Sequence, residues 1–231
     1  MLWRMMLTLL FVLCCAPLAA AQNEDQPEFK MPCAQVLKLG LNEFMDVYGE
    51  KTADYSTLGM KQGFSYYADC KRPANDELAQ HLSPERRKQA DAVRDELQKM
   101  GNAAWDLAYI SAGGGTMYAL LKVGAYATRE DSMTKLITAL GNERAQPAAR
   151  RRVAASLAKA RRLLVHWAHM PKIEVYGEES LAEMQQQYRD EVKEAQAAFD
   201  RLQALIRVLP DAAAELVAKQ AAEELDAKID S

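Results

Sequence analysis

Three histidines, four cysteines, a glycine run ahead of a threonine and a surplus of carboxylates are what chemistry could use in this 231-residue chain. His166 and His169 stand three apart with Met170 beside them, a spacing at which two imidazoles on a helix can share a metal such as copper. A metal needs further ligands, and the remaining histidine, His81, is distant. Two solvated imidazoles at a helix C-terminus, where positive charge is favoured, is the reading adopted. Ala112-Gly113-Gly114-Gly115-Thr116 leads into a helical segment and resembles a phosphate cradle only in its glycines. A phosphate loop sets Lys beside Ser or Thr, whereas Lys122 follows Thr116 by six residues. A corner between two helices is expected instead.

Paired carboxylates such as Glu43 with Asp46, or Glu130 with Asp131, could serve as an acid and a base on a glycoside. Carboxylates strung along helices usually form solvated faces. Gly-x-Ser-x-Gly, His-Glu-x-x-His and Cys-x-x-Cys-His are absent from the sequence, and no cofactor or metal is implied. Two features favour binding over catalysis. The aromatic group Tyr48, Tyr55, Phe64, Tyr66 and Tyr67 suggests a groove, with most of its rings in the core. Between Arg144 and Lys172 lie eight basic residues and no acid, among them Arg150, Arg151 and Arg161. Opposite an apolar stripe they form a basic helix face, suited to an acidic protein, an anionic polymer or anionic lipid. Its simpler use is pairing with Glu178, Glu179, Glu183, Asp190, Glu191 and Glu194 of the next helix.

The elements that must position these residues are helices. Alanine, leucine and long charged side chains dominate, and no strand-period alternation is evident. A first helix is expected from Pro32 to about Tyr48, ended by Gly49, and a second from an Ser56 cap to about Cys70. Pro73 should interrupt, with a short stretch covering Asn75 to Leu82. Ser83-Pro84 opens the next helix, which stops at Gly113. After Thr116, Met117 to Ala127 is apolar nearly all round and is expected in the middle of a bundle. Gly141 to Pro147 is the candidate boundary, followed by a helix over about 147–169.

Leu181, Met184, Tyr188, Val192, Ala195, Phe199, Leu202, Ile206 and Leu209 then follow at spacings of 3, 4, 4, 3, 4, 3, 4 and 3. That is a heptad seam with one stutter, able to pack within the chain or self-associate through 181–209. Pro210 breaks it, and an acidic helix with Leu216, Val217 and Leu225 inward completes the chain.

Residues 1–21 read as a secretory signal: Arg4, an apolar run from Met5 to Leu13, and Ala19-Ala20-Ala21 before polar Gln22 to Pro27. Cleavage near Ala21 would place the protein in the periplasm or outside the cell. It would remove Cys14 and Cys15, leaving Cys33 and Cys70 to form one disulfide in an oxidising compartment. It would also change 29 basic and 32 acidic residues to 28 and 32, a net charge of −4 that argues against nucleic acid. No later apolar run approaches the about eighteen residues of a membrane span.

The expectation is therefore an all-α bundle of six to seven helices. It comprises a flexible polar stretch 22–31, a disulfide-clasped domain over 32–141 whose first two helices form a hairpin, and a C-terminal hairpin or coiled-coil segment over 147–231. The expected role is an exported, non-catalytic binding module whose partner is another exported protein or a cell-envelope component. The alternative is a cell-wall-active hydrolase using paired carboxylates.

Overall fold

A computed structural model describes residues 29, 31–112, 116–142, 147–169 and 181–226. Among them are eight helices and no strand. In chain order these are α1 (Cys33–Val36), α2 (Leu41–Thr52), α3 (Thr57–Ala79), α4 (Pro84–Ser111), α5 (Thr116–Leu140), α6 (Pro147–Ala168), α7 (Leu181–Ile206) and α8 (Asp211–Asp226). Residues 1–21, read above as a secretory signal, nearly all of the polar stretch after them and Gly113 to Gly115 lie outside the described residues.

The count of eight departs from six to seven because the N-terminal boundaries fall elsewhere. The expected first helix breaks at Leu37 to Gly40, giving the single turn α1 and then α2 with Gly40 as its N-cap. Cys33 is bonded to Cys70, and the Leu39 carbonyl lies 3.4 Å from the Tyr67 hydroxyl, so the chain on both sides of the break lies against α3. Gly49 does not end α2. It is buried where a Cβ would collide with the Tyr55 ring, and the chain turns later, at Ala53, in the left-handed conformation (φ 51°).

Ser56 caps α3 as expected, its hydroxyl accepting from Gly59 N at 3.1 Å, but Pro73 does not interrupt the helix. A proline inside a helix costs about 3 kcal/mol, and contacts beyond it hold the last turns in place. Asn75 donates to the Glu130 carbonyl at 2.8 Å, and Asp76 accepts from Arg94 at 2.6 Å. The disulfide, with Cα atoms 5.2 Å apart, thus clasps the N-terminal segment to the middle of α3 and not to its end.

Two apolar cores result. The smaller gathers Met31, Val36, Phe44, Tyr48, Tyr67, Ala68, Cys70 and Ala127, with Phe29 and Tyr66 against it. The larger draws residues from Ala79 to Leu225 and so spans both sides of Gly141 to Pro147. Within it α7 packs along α4, and its seam is buried there: Met184, Tyr188, Ala195, Phe199, Leu202, Ile206 and the following Leu209 are all in the core, while Leu181 is exposed. The face suited to an intermolecular coiled coil is therefore the one that packs inside the chain. Two helices touch four others each: α8 touches α4, α5, α6 and α7, and α5 touches α2, α3, α4 and α8. Ala213, Ala214, Ala218, Ala221 and Ala222 are buried along α8, and such small side chains let neighbouring helices approach closely.

Candidate functional site

The two cores leave an open cleft of about 500 Å³ between them. Its walls are Leu41 and Asn42 from α2, Met60 and Phe64 from α3, Trp105 from α4, and Leu120, Leu121 and Ala125 from α5. Thr128 and the α8 side chains Gln220, Glu223 and Glu224 supply its polar margin. Gly124 lies on the α5 wall, where an added Cβ would stand 3.4 Å from the Phe64 ring, so a larger side chain there would enter the cleft against Phe64. The segment Met117 to Ala127, expected in the middle of the bundle, is what opens this site. Leu120 and Ala127 are buried, but Leu121 to Tyr126 are only half-buried, and Leu121, Gly124 and Ala125 among them line the cleft.

Beneath the α8 margin the polar groups are bonded to one another. Arg129 donates to Glu224 through Nε (3.1 Å) and Nη2 (3.2 Å), and Gln220 donates to the same carboxylate at 3.1 Å. Arg129 borders a second, smaller cavity of about 150 Å³ between α4, α5 and α8, shared by Gln220 and Glu223. The ion pair thus joins a residue of the cavity wall, Arg129, to one of the cleft wall, Glu224.

Of the five aromatic candidates, Phe64 alone lines the cleft. Tyr48 and Tyr67 are core residues, packed on Phe44. Tyr66 stacks on Phe44 at 6.2 Å and donates to the Met31 carbonyl at 2.5 Å. Tyr55 is 66% exposed with its ring against Gly49. Spacing could not distinguish these roles, because Phe64 and Tyr67 are one turn apart and pack in the same smaller core, yet only Phe64 reaches the cleft. Trp105, Leu120 and Leu121 appear in sequence only as apolar positions of amphipathic helices.

The basic residues of α6 do pair inside the chain, and the ion pairs among the described residues run to α8, while Glu178 and Glu179 lie outside the described residues. Arg150 meets Asp211, Arg152 meets Glu215, and Lys159 meets Asp226. The core faces of α6 and α8 pack together, which brings their flanking charges side by side. Arg161 donates to Gln203 at 3.3 Å, and Arg151 points outward. His166 and His169 are exposed, and His169 Nδ1 lies 2.7 Å from the Val165 carbonyl.

The carboxylate pairs fare differently. Glu43 and Asp46 are exposed on α2. Glu130 and Asp131 diverge: Glu130 is buried, accepting from Asn75 at 3.1 Å with Arg94 Nε 3.7 Å away. Asp131 accepts from Tyr67 at 2.7 Å and faces Lys71 at 3.1 Å. Burial pushes the Asp131 carboxyl up, but the Tyr67 and Lys71 hydrogen bonds and the Lys71 and Lys135 charges outweigh it, so its pKa falls below the ordinary value. A proton donor at neutral pH needs the opposite shift. An upward shift is found at Glu191, through burial and then repulsion from Asp106, partly offset by Lys122. Glu191 lies outside the linings of the cleft and the cavity.

Among the described residues no group of three or more His, Cys, Asp or Glu side chains is placed to hold a metal ion, and no helix is long and apolar enough to cross a membrane. Compared with known family models, curated proteins and solved structures, the chain matches none.

Proposed function

We propose that this chain is an exported, non-catalytic helical binding module that takes an apolar segment of another exported protein or cell-envelope component into the cleft between α2, α3, α5 and α8. The observation that carries the reading is the cleft: about 500 Å³, walled by Leu41, Met60, Phe64, Trp105, Leu120 and Leu121. Sites that bury small ligands or side chains have this size and this apolar lining with a few polar groups at the margin. Asn42, Thr128, Gln220 and Glu223 are the margin here, able to bond the polar atoms of a bound segment.

Export is supported by the charge, apolar run and alanines of residues 1–21, and by the Cys33–Cys70 bond, which an oxidising compartment preserves. The hydrolase alternative is less well supported. Glu130 and Asp131 are engaged by neighbours, and the upward-shifted Glu191 is outside the cleft.

Fluorescence titration tests the reading, since Trp105 lines the cleft. In a Trp167→Phe background lacking residues 1–21, Trp105 is the sole indole. Titration with an apolar peptide or with anilinonaphthalene sulfonate should change its emission saturably. Gly124→Leu, which puts a bulky side chain into the cleft opposite Phe64, should abolish the change. The binding reading fails if emission does not saturate, or if Gly124→Leu leaves it intact. Cleavage of peptidoglycan by the purified protein, lost in Glu191→Gln, would replace it with the hydrolase. N-terminal sequencing of secreted material beginning at Met1 would remove cleavage near Ala21.

A further inference from the structure

The outward face of α6 carries charge that no described residue neutralises, with a shape that limits what can meet it. Val153, Leu157, Ala160, Leu164 and Trp167 turn toward the larger core. On the opposite side Arg151, Ala155, Ala158 and Arg162 follow one another at spacings of four, three and four, and all are exposed. The cations on the two flanks are engaged: Arg150, Arg152 and Lys159 by α8 carboxylates and Arg161 by Gln203. Arg151 and Arg162 have no hydrogen-bond or ion-pair partner among the described residues, and α6 itself contains no Asp or Glu.

We propose that this face docks an acidic α-helix of a partner protein, independently of what occupies the cleft. Charge complementarity sets the sign of the partner, because two guanidiniums stand on one line with no carboxylate between them. Their eleven-residue separation is three helical turns, about 16 Å along the axis. Carboxylates on one face of a second helix recur at the same interval and can each take a bidentate guanidinium bond. Ala155 and Ala158 make the stretch between the arginines shallow, so a second helix can lie at an axial separation of about 8–10 Å. An anionic membrane fits less well. Interfacial helices sink bulky apolar groups into lipid, and Val165, 55% exposed, is the large hydrophobic residue of α6 that is exposed. A flexible polyanion would have no need of the shallow interval.

The test is fluorescence anisotropy on the purified protein with three labelled probes. These are a helical peptide bearing glutamates at four-three-four spacing, its lysine counterpart, and unstructured polyglutamate of equal charge. The glutamate helix should bind, more weakly as salt rises. Arg151→Glu/Arg162→Glu should weaken it by about tenfold or more and gain binding of the lysine helix. Both positions are exposed, and circular dichroism should show the fold of the double variant unchanged. The proposal is overturned if the glutamate helix does not bind, or if the double variant binds it as well as the parent. It is equally overturned if polyglutamate binds as tightly, or if phosphatidylglycerol vesicles capture the parent and not the variant.

Discussion

Arg129 on α5 and Glu224 on α8, 95 residues apart in sequence, meet as a doubly bonded ion pair in which each side chain is 2% exposed. Gly101 on α4 lies directly over them, where a Cβ would collide with both the guanidinium and the carboxylate. Three helices are thereby brought into register by one charged contact at the base of the cleft.

Removing one partner should therefore cost far more than removing both. Glu224→Ala leaves Arg129 buried without its counter-charge and should lower stability by about 3–5 kcal/mol. The pair Arg129→Met/Glu224→Leu should recover most of that loss. Urea melts of the three variants check it, and equal losses in the single and double variants would contradict it.

Gly101→Ala should destabilise by about 1–3 kcal/mol, because an inserted methyl must displace the ion pair. In the Arg129→Met/Glu224→Leu background the cost should change markedly, since flexible apolar side chains then face the methyl. A double-mutant cycle reads the coupling.

Reduction of Cys33–Cys70, or Cys33→Ser with Cys70→Ser, should lower stability by about 3–4 kcal/mol for the 37-residue separation. The smaller core should loosen first, because α1 and α2 rest mainly on α3 and touch little of the rest. Hydrogen exchange should show α2 amides opening before those of α7 and α8. Uniform opening would argue against two separable cores.

Stability should also depend on pH through Tyr67 and Asp131. The Asp131 pKa is depressed in the folded protein, so its contribution is present above the ordinary value of 3.8 and is lost as pH falls through the folded value. The Tyr67 hydroxyl is pushed up by burial first and then by its bond to Asp131. Its contribution is complete below the ordinary value of 10.0 and declines as pH rises above it. Asp131→Asn should flatten the acid limb and Tyr67→Phe the alkaline one, measured as melting temperature against pH.

Much of the architecture is local and was readable as such. Ser56 and Ser83 cap α3 and α4, Pro84 sits in the first turn of α4, and α5 ends at Leu140 just before Gly141. Each depends on the few residues around a helix end, so type and spacing suffice. The boundaries at Gly49 and Pro73 were misread because contacts from elsewhere overrode them. Tyr55 turns Gly49 into a packing position, and Asn75 with Asp76 holds α3 helical past its proline.

Helical class follows from the chain alone, and so does the Cys33–Cys70 pairing once residues 1–21 are read as a cleaved signal, because both are decided by residue type, count and short-range order. Which helices pack against which, which carboxylates meet the arginines of α6, and which aromatic ring faces the cleft were decided only in three dimensions. Each of those is a choice among chemically equivalent side chains, made by whichever helix packs alongside. Periodicity tells that a face is apolar; it does not tell whether a neighbour covers it. That is why Met117 to Ala127, expected in the middle of the bundle, also gives the cleft one of its walls.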